Sequence, residues 1–340
     1  APTRLDVQGV DATVERGSDG QLVLGFFSDA KSVVDAEFAQ RLPAYISLLL
    51  KTGGRRDVLG YLDVVKISNA DLRYLDRANG SEWHSPDSNI ELLRGSDGLE
   101  VVASMELGFD THSTKVTAHA LFSIERPVVD IGLEFGELVP ADVTGRIVAL
   151  RGFPEVNKPY SGQIRVLAQH SGVVNSFAFD LRGADGIIAG NVITDPAGDY
   201  DLTINLSGLR SSEFAEYLPQ STGVVAIDTV LDLRASGRIG PAGEIRRLEF
   251  EGYAGGGTLT LSHGLPKPVE FESIEFVGEV RDEFEVVDIS LVKFDLGDTE
   301  LKVRLAASRI GQNLRTRLDA ELRELRMLDL ARYWPEELSP

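Results

Sequence analysis

Residues Leu99-Glu-Val-Val-Ala-Ser-Met-Glu-Leu-Gly-Phe109 place apolar side chains at the odd-numbered positions and mostly polar ones at the even-numbered positions. A period of two puts the two sets on opposite faces of a β-strand. The same alternation recurs along much of the chain, for example in segments 116–124, 202–206, 225–233, 301–307 and 314–322. The chain is therefore predicted to be all-β, with antiparallel strands that are wetted on one face only.

Tight turns are predicted between these strands. Asn-Gly or Asp-Gly pairs stand at 19–20, 79–80, 97–98 and 185–186, and they supply the positive-φ residues that short hairpin loops need. The spacing of strand and turn signals predicts about 16 to 20 strands. Helical periodicity is rare, so only a few short helices are expected.

One strand-plus-segment pattern is repeated. Leu206-Ser-Gly-Leu-Arg-Ser-Ser-Glu-Phe-Ala-Glu-Tyr-Leu-Pro219 is matched by Leu322-Arg-Glu-Leu-Arg-Met-Leu-Asp-Leu-Ala-Arg-Tyr-Trp-Pro335, and a weaker copy stands at 135–143. Short helices are predicted at 211–217 and 327–334, each ended by its proline. Such repetition is typical of a stacked or extended architecture. We predict an N-terminal region 1–57 followed by repeated units at about 58–150, 151–219 and 220–340.

Residues 33–50 give the best helical pattern in the chain. Phe38, Leu42, Ile46 and Leu49 fall on one face of a helix drawn through this segment. Two interpretations are open. The helix is either a permanent cap over one end of the sheet or a plug that occupies its apolar face in place of a ligand.

Composition excludes several partner classes. The chain has 340 residues, a formal charge of −19 and no run of lysine or arginine longer than two, which disfavours a nucleic-acid surface. Cysteine is absent, so disulfides and thiolate chemistry are excluded. The first residues carry no secretory signal pattern, and no stretch reaches the roughly 18 apolar residues of a membrane span. We interpret the chain as an internal fragment of a longer protein.

Enzymatic motifs are not found. The five histidines are scattered, and we interpret them as solvent-facing residues on hairpins. No Gly-x-Ser-x-Gly elbow and no calcium loop occur in the sequence. We therefore predict no enzymatic activity, no catalytic residue, no metal site and no cofactor.

A sheet of this many strands has an apolar face that one or two helices cannot cover. The pattern leaves two solutions open. The sheet folds against itself as a sandwich or barrel, or it curls into a trough whose apolar lining meets another molecule.

Four stretches, in this order, resemble the AsmA-like superfamily of bacterial envelope proteins, and most closely its YhdP-type, TamB-related members. They are Val14-Glu-Arg-Gly-Ser-Asp-Gly-Gln-Leu-Val-Leu-Gly25, Leu59-Gly-Tyr-Leu-Asp-Val-Val-Lys-Ile-Ser-Asn-Ala-Asp-Leu72, Gly243-Glu-Ile-Arg-Arg-Leu-Glu-Phe-Glu-Gly252 and Leu325-Arg-Met-Leu-Asp-Leu-Ala-Arg-Tyr-Trp-Pro335. The closing Leu-Ala-Arg-Tyr-Trp-Pro element is the most specific of them. The resemblance covers nearly the whole chain.

The resemblance implies a long, twisted antiparallel sheet that is curled into an open, elongated groove, or β-taco. It also implies a periplasmic location, an anchor in the inner membrane, and phospholipids that move along the groove toward the outer membrane. Implied partners are phospholipid acyl chains and proteins of the two membranes. A β-sandwich scaffold or envelope assembly module without lipid cargo is the alternative.

The apolar rows of the predicted strands would line such a groove. The lining residues expected from the alternation are Val101, Ala103, Met105, Leu107, Val116, Ala118, Phe122, Leu202, Ile204, Ile227, Leu231, Leu301, Val303, Leu305, Leu314 and Leu318. Each methylene that leaves water for such a strip gains about 0.8 kcal/mol.

Overall fold

A computed structural model describes residues 3–17, 22–26, 33–35, 61–77, 80–109, 112–144, 158–170, 173–184, 186–211, 224–241, 244–261, 268–310 and 313–324. The chain divides into two compact units, Ala1–Leu181 and Arg182–Pro340. Strands dominate both units, and the sheet is not closed. The prediction of an all-β fold with an open sheet is therefore confirmed.

Unit 1 contains most of the first half of the strands and the only helix among the described residues, α1 (Pro140–Thr144). Its strands are β1 (Arg4–Gln8), β2 (Asp11–Arg16), β3 (Leu22–Phe26), β4 (Val33–Asp35), β5 (Val64–Asp76), β6 (Ser81–Arg94), β7 (Gly98–Gly108), β8 (Ser113–Ser123), β9 (Val128–Leu138) and β10 (Tyr160–Gln169). Strand β11 (Val174–Gly183) contains the division between the units.

Strands β5 to β10 form an antiparallel meander in which each described pairing joins neighbours in the sequence. Strands β1 and β2 instead pair with β5 in parallel, one after the other. The sequence analysis predicted only antiparallel pairing. Strand β3 pairs antiparallel with β2, and β4 with β3.

The register of the meander aligns apolar side chains in rows across the strands. One row runs through Val65, Leu92, Val101, Ala120, Ile131 and Val166. The next row runs through Ile67, Ile90, Ala103, Ala118, Leu133 and Ile164. Because directly opposite residues share a face of the sheet, one side of unit 1 is a continuous apolar surface.

Three neighbouring strand paths of unit 1 bend at one level. Gly9 between β1 and β2, Asn69 in β5 and Asp87 in β6 all have positive φ, at 68°, 54° and 57°. The β5–β6 ladder is irregular at this level, and Ser85 and Ser88 there are buried and joined by a 2.8 Å bond between their hydroxyls. The β5–β6 pairing is regular on both sides of this irregularity, over Val64–Ile67 and over Leu72–Asp76.

Unit 2 is built from β12 (Gly186–Thr194), β13 (Tyr200–Arg210), β14 (Val224–Asp228), β15 (Val230–Ile239), β16 (Ile245–Ala254), β17 (Gly257–Leu261), β18 (Val269–Phe271), β19 (Ser273–Arg281), β20 (Val286–Asp295), β21 (Glu300–Ile310) and β22 (Asn313–Arg323). Its large antiparallel sheet follows the order β12-β13-β15-β16-β19-β20-β21-β22. Strands β14, β17 and β18 form a separate three-stranded sheet, the small sheet.

Each strand of the small sheet is the continuation of a strand of the large sheet. Strands β14 and β15 are separated by Thr229, β16 and β17 by Gly255 and Gly256, and β18 and β19 by Glu272. The order β14-β17-β18 therefore repeats the order β15-β16-β19. We call this shared bend the crease. It is held by bonds from Gly255 N to the Val230 carbonyl, at 3.0 Å, and from the Thr229 hydroxyl to the Gly255 carbonyl, at 2.8 Å.

The weaker repeat copy runs from a strand, β9, into the short helix α1, which the sequence analysis did not predict. Val33–Asp35 form strand β4, so the predicted helix 33–50 does not begin at Val33, because β-branched Val33 and Val34 pair with β3. The rest of that segment, with Phe38, Leu42, Ile46 and Leu49, lies outside the described residues. The same holds for the predicted helix 211–217 beyond Ser211 and for the predicted helix 327–334.

Gly257 just past the crease should not tolerate a side chain. A Cβ there would stand 2.2 Å from the Asp228 carbonyl oxygen, whereas a Cβ at Gly255 would meet nothing within 4 Å. We expect Gly257→Ala to lower the free energy of unfolding by about 1–3 kcal/mol. The matched control Gly255→Ala should stay within about 0.5 kcal/mol of the parent chain. Urea unfolding measures both, and equal effects would show that the crease is not tightly packed.

Candidate functional site

An apolar cavity of about 490 Å³ lies inside the bend of unit 2. The large sheet contributes side chains from β13, β15, β16, β19 and β20, and the small sheet contributes Ile227 and Leu259. The aliphatic and aromatic lining residues are Leu206, Ile227, Leu231, Leu233, Phe250, Ala254, Leu259, Ile274, Phe276, Ile289, Val292 and Phe294. Its volume lies within the range of about 300–1,000 Å³ that small-molecule sites occupy.

Only two of the lining side chains are polar, those of Ser211 and Thr229. The Ser211 hydroxyl donates to the Ile227 carbonyl at 2.6 Å and accepts from the Thr229 backbone amide at 3.0 Å. The Thr229 hydroxyl donates to the Gly255 carbonyl. Both hydroxyls are therefore engaged with the backbone of the crease, and the cavity presents an apolar surface to whatever enters it.

Two cross-strand glycine–phenylalanine pairs form the floor of the cavity. Gly252 lies opposite Phe276, and Phe250 lies opposite Gly278. A Cβ added at Gly252 would stand 2.2 Å from the Phe276 ring, and one at Gly278 would stand 2.4 Å from the Phe250 ring. Each ring therefore lies over the glycine of the other strand. The ring centroids lie 6.3 Å apart, and the ring planes are inclined by 50° to each other.

A small core closes the cavity where the two sheets meet. Ala254, Phe271 and Ile274 are buried together, and Phe271 comes from β18 of the small sheet. Side chains that also line the cavity pack against this core, including Ile227, Leu231 and Phe294. The cavity therefore lies directly beside a packed core, and some side chains belong to both.

In unit 1 the predicted lining residues occupy one face of neighbouring strands. Val101 pairs with Ala120, Ala103 with Ala118, and Met105 with Val116. Leu107 lies opposite Thr114, and Phe122 lies opposite Leu99. These residues of β7 and β8 therefore share one face of the sheet.

In unit 2 the predicted lining residues also share one face, but only some of them reach the cavity. Leu231 and Ile227 line it. Leu202 and Ile204 extend the same face along β13, and Leu301, Val303 and Leu305 extend it across β21. Leu318 continues that face on β22, and Leu314 lies opposite Arg309 in the register. The side chain of Leu314 is outside the described part of the chain.

Sequence reasoning missed the residues that shape the cavity most. Phe250, Phe276, Ile289, Val292 and Phe294 were not among the predicted lining. In β20 the register shifts between Ile289 and Val292, so simple alternation fails there. A usable signal was the pair of Phe-x-Gly motifs, Phe250-Glu-Gly252 and Phe276-Val-Gly278, which place glycine and phenylalanine on the same face of adjacent strands.

The opposite face of unit 2 carries charges in cross-strand networks. Arg247 of β16 bonds to Glu279 of β19 at 2.9 Å, and Arg281 bonds to the same carboxylate at 3.3 Å. Lys302 of β21 bonds to Glu300 at 2.8 Å, and its hydrogen bond holds the pKa of that carboxyl below its usual value. The charged side chains lie on the solvent-facing side of the sheet, opposite the side that carries the cavity.

Three histidines of unit 1 lie beside single carboxylates. His84 is 2.9 Å from Asp71, His119 is 3.1 Å from Glu100, and His112 is 3.3 Å from Asp142. Within the described ranges no group of three or more histidine, aspartate or glutamate side chains is placed to hold a metal ion.

Comparison with protein-family models, with curated proteins and with solved structures gives no match. The likeness to AsmA-like proteins therefore rests on the four sequence stretches alone. None of the helices in the described part of the chain has the length and apolar character needed to cross a membrane.

The glycine–phenylalanine floor predicts a coupled pair of substitutions. Gly252→Ala should displace the Phe276 ring and lower the free energy of unfolding by about 1–3 kcal/mol. Phe276→Leu removes the ring, so the double variant should lose less than the sum of the two single variants. A urea double-mutant cycle measures this coupling. Strictly additive losses would mean that the ring does not lie on Gly252.

Proposed function

We propose that this chain is a section of a periplasmic conduit along which phospholipids move between the inner and outer membranes, with their acyl chains on the apolar face of the sheet. The observation that carries the proposal is the apolar cavity of unit 2, whose two polar side chains are both engaged with backbone. A long aliphatic chain is the ligand that such a surface can stabilise, because it has no polar group that would need a partner there.

The distribution of apolar surface also favours a mobile cargo. In both units the rows cross several strands and are mainly apolar, and the charged residues in register with them are Arg94, opposite Leu99, and Arg309, opposite Leu314. Each methylene buried contributes about 0.8 kcal/mol wherever it lies. Binding energy is therefore spread along the face, which is what a molecule that slides requires.

The polar headgroups of the lipids can also be accommodated by this sheet. The outer face carries the exposed ion-pair networks, and the chain has a formal charge of −19. A lipid whose acyl chains contact the apolar face keeps its polar headgroup in water at the margin of an open sheet. The periplasmic location and the inner-membrane anchor in this proposal come from the resemblance to AsmA-like proteins.

A scaffold without lipid cargo is the second candidate, and one observation favours it. The small sheet packs against the large sheet through the buried core of Ala254, Phe271 and Ile274, as the two layers of a sandwich do. If this packing extended over the whole apolar face, no surface would be left for lipid. Lipid capture on that face distinguishes the two functions.

Photocrosslinking from β21 tests the proposal. Leu305 and Lys302 lie on opposite faces of this strand. We expect a photoreactive residue at position 305 to form a covalent adduct when the chain is incubated with vesicles of phosphatidylethanolamine and phosphatidylglycerol. Position 302 should give little adduct, as seen by intact-mass spectrometry. Capture at position 302 alone would reverse the faces, and capture at neither would favour the scaffold.

A charge within the apolar face should displace lipid. Leu305→Glu introduces a carboxylate into the row that contains Ile289 and Leu318, and this carboxylate would have to be desolvated under an acyl chain. We expect severalfold less copurifying lipid and, because Leu305 is half-buried, a stability loss of only about 1–2 kcal/mol. Arg304→Glu on the outer face is the matched control, and it should leave the lipid content unchanged. Equal lipid loss in both variants would argue against the face assignment.

A further inference from the structure

Strand β22 is the last described strand of the large sheet of unit 2. It pairs along 11 residues with β21, from Arg323 opposite Glu300 to Asn313 opposite Ile310. Among the described residues, no strand pairs with its other side. A regular edge of this length presents a row of backbone N–H and C=O groups that can accept another strand.

The apolar face of the sheet is uncovered at this edge. Leu318 is 65% exposed and Leu322 is 49% exposed, although both lie in rows that begin inside the cavity. Outer edge strands usually carry a bulge, a proline, an inward-pointing charge or charged side chains along the edge. Within residues 315–323, β22 has only the last of these, and its charges lie on the outer face. In β22 the described positions of the apolar face are Thr316, Leu318, Ala320 and Leu322.

The outer face of β22 carries five charges in the order Arg315, Arg317, Asp319, Glu321 and Arg323. Arg317 bonds to Asp319 at 2.9 Å, and Arg323 bonds to Glu321 at 2.8 Å, both within the strand. These side chains are more than half exposed. Two positive charges are therefore followed by two negative charges along a strand whose backbone edge is open.

We propose that two copies of this chain associate through β22, paired antiparallel about a twofold axis at Leu318. In this register Leu318 lies opposite its own copy and Thr316 lies opposite Ala320. Arg317 then lies opposite Asp319 of the other copy, and Arg315 lies opposite Glu321. Each charge pair occurs twice by symmetry, so four cross-strand pairs of opposite charge form on one face and the apolar residues meet on the other.

Other twofold registers also place apolar residues opposite apolar residues, but they bring like charges together. A twofold axis at Arg317 places that arginine opposite itself, and an axis at Asp319 places two aspartates together and Arg315 opposite Arg323. A shift of two residues to position 320 sets Asp319 against Glu321. Like charges directly opposite destabilise a sheet. The charge order of β22 thus selects the Leu318 register.

The inference is independent of the proposed cargo, since it depends only on the strand edge. It extends the apolar face of unit 2 directly into that of a second copy. A different strand from outside this chain, or a segment beyond residue 324 folded back on the edge, would occupy the same backbone groups and leave the chain monomeric.

Cysteine crosslinking tests the register without background, because the chain has no cysteine. Opposed residues in an antiparallel pair lie about 4.5–5.5 Å apart between Cα atoms. Leu318→Cys should therefore be joined to its own copy by a short bis-maleimide. Thr316→Cys alone should not react, because its copy lies four residues away, but an equimolar mixture of Thr316→Cys with Ala320→Cys should. Self-crosslinking at position 316 instead of 318 would refute the register.

Charge exchange gives a second test by light scattering and sedimentation. Arg317→Asp and Asp319→Arg each turn two attractive pairs into repulsive ones. The dissociation constant of the dimer should therefore be at least about tenfold higher for each variant than for the parent. A mixture of the two variants restores both pairs and should dimerise as the parent does. A monomeric parent chain at micromolar concentration, or a mixture no better than the single variants, would overturn the proposal.

Discussion

Antiparallel pairing between sequence neighbours, in a register that alternates along most of each strand, is the constraint on which this structure depends. Each hairpin fixes which residues lie opposite one another, and the period of two then sends every second side chain to the same face. In unit 1 this aligns the row from Val65 to Val166 across the meander. The apolar face and the charged face are consequences of that register, since a slip of one residue would exchange them.

Glycine sets the shape of the apolar face. At Gly252 and Gly278 the missing side chain leaves room for a phenylalanine ring from the neighbouring strand, and at Gly257 it lets the backbone of β14 approach closely. The first arrangement places aromatic rings on the floor of the cavity, and the second allows the small sheet to turn over it. Aromatic surface and curvature are thus produced by the same residue type in two different ways.

Alternation in the sequence was sufficient to predict the all-β class, many of the hairpins and, within unit 1, that Val101 and Ala103 share a face. It could not predict the parallel pairing of β1 and β2 with β5, because register between distant segments leaves no local pattern. The crease was missed because Ile227, Leu231 and Leu233 keep one phase of alternation through Thr229, so β14 and β15 resemble a single strand in the sequence. The cavity residues of β20 were missed because the irregularity between Ile289 and Val292 interrupts the period there.

The neighbour-to-neighbour connectivity of β5 to β10 also bears on how the chain unfolds. Each strand in that meander is held by the strand before it and the strand after it, as in a linear array, so the free energy is a sum of local terms. Such an array loses order from its ends inward, and its inner hairpins protect their amide protons longest. A single melting temperature would therefore describe this molecule poorly, since its stability is graded along the sheet.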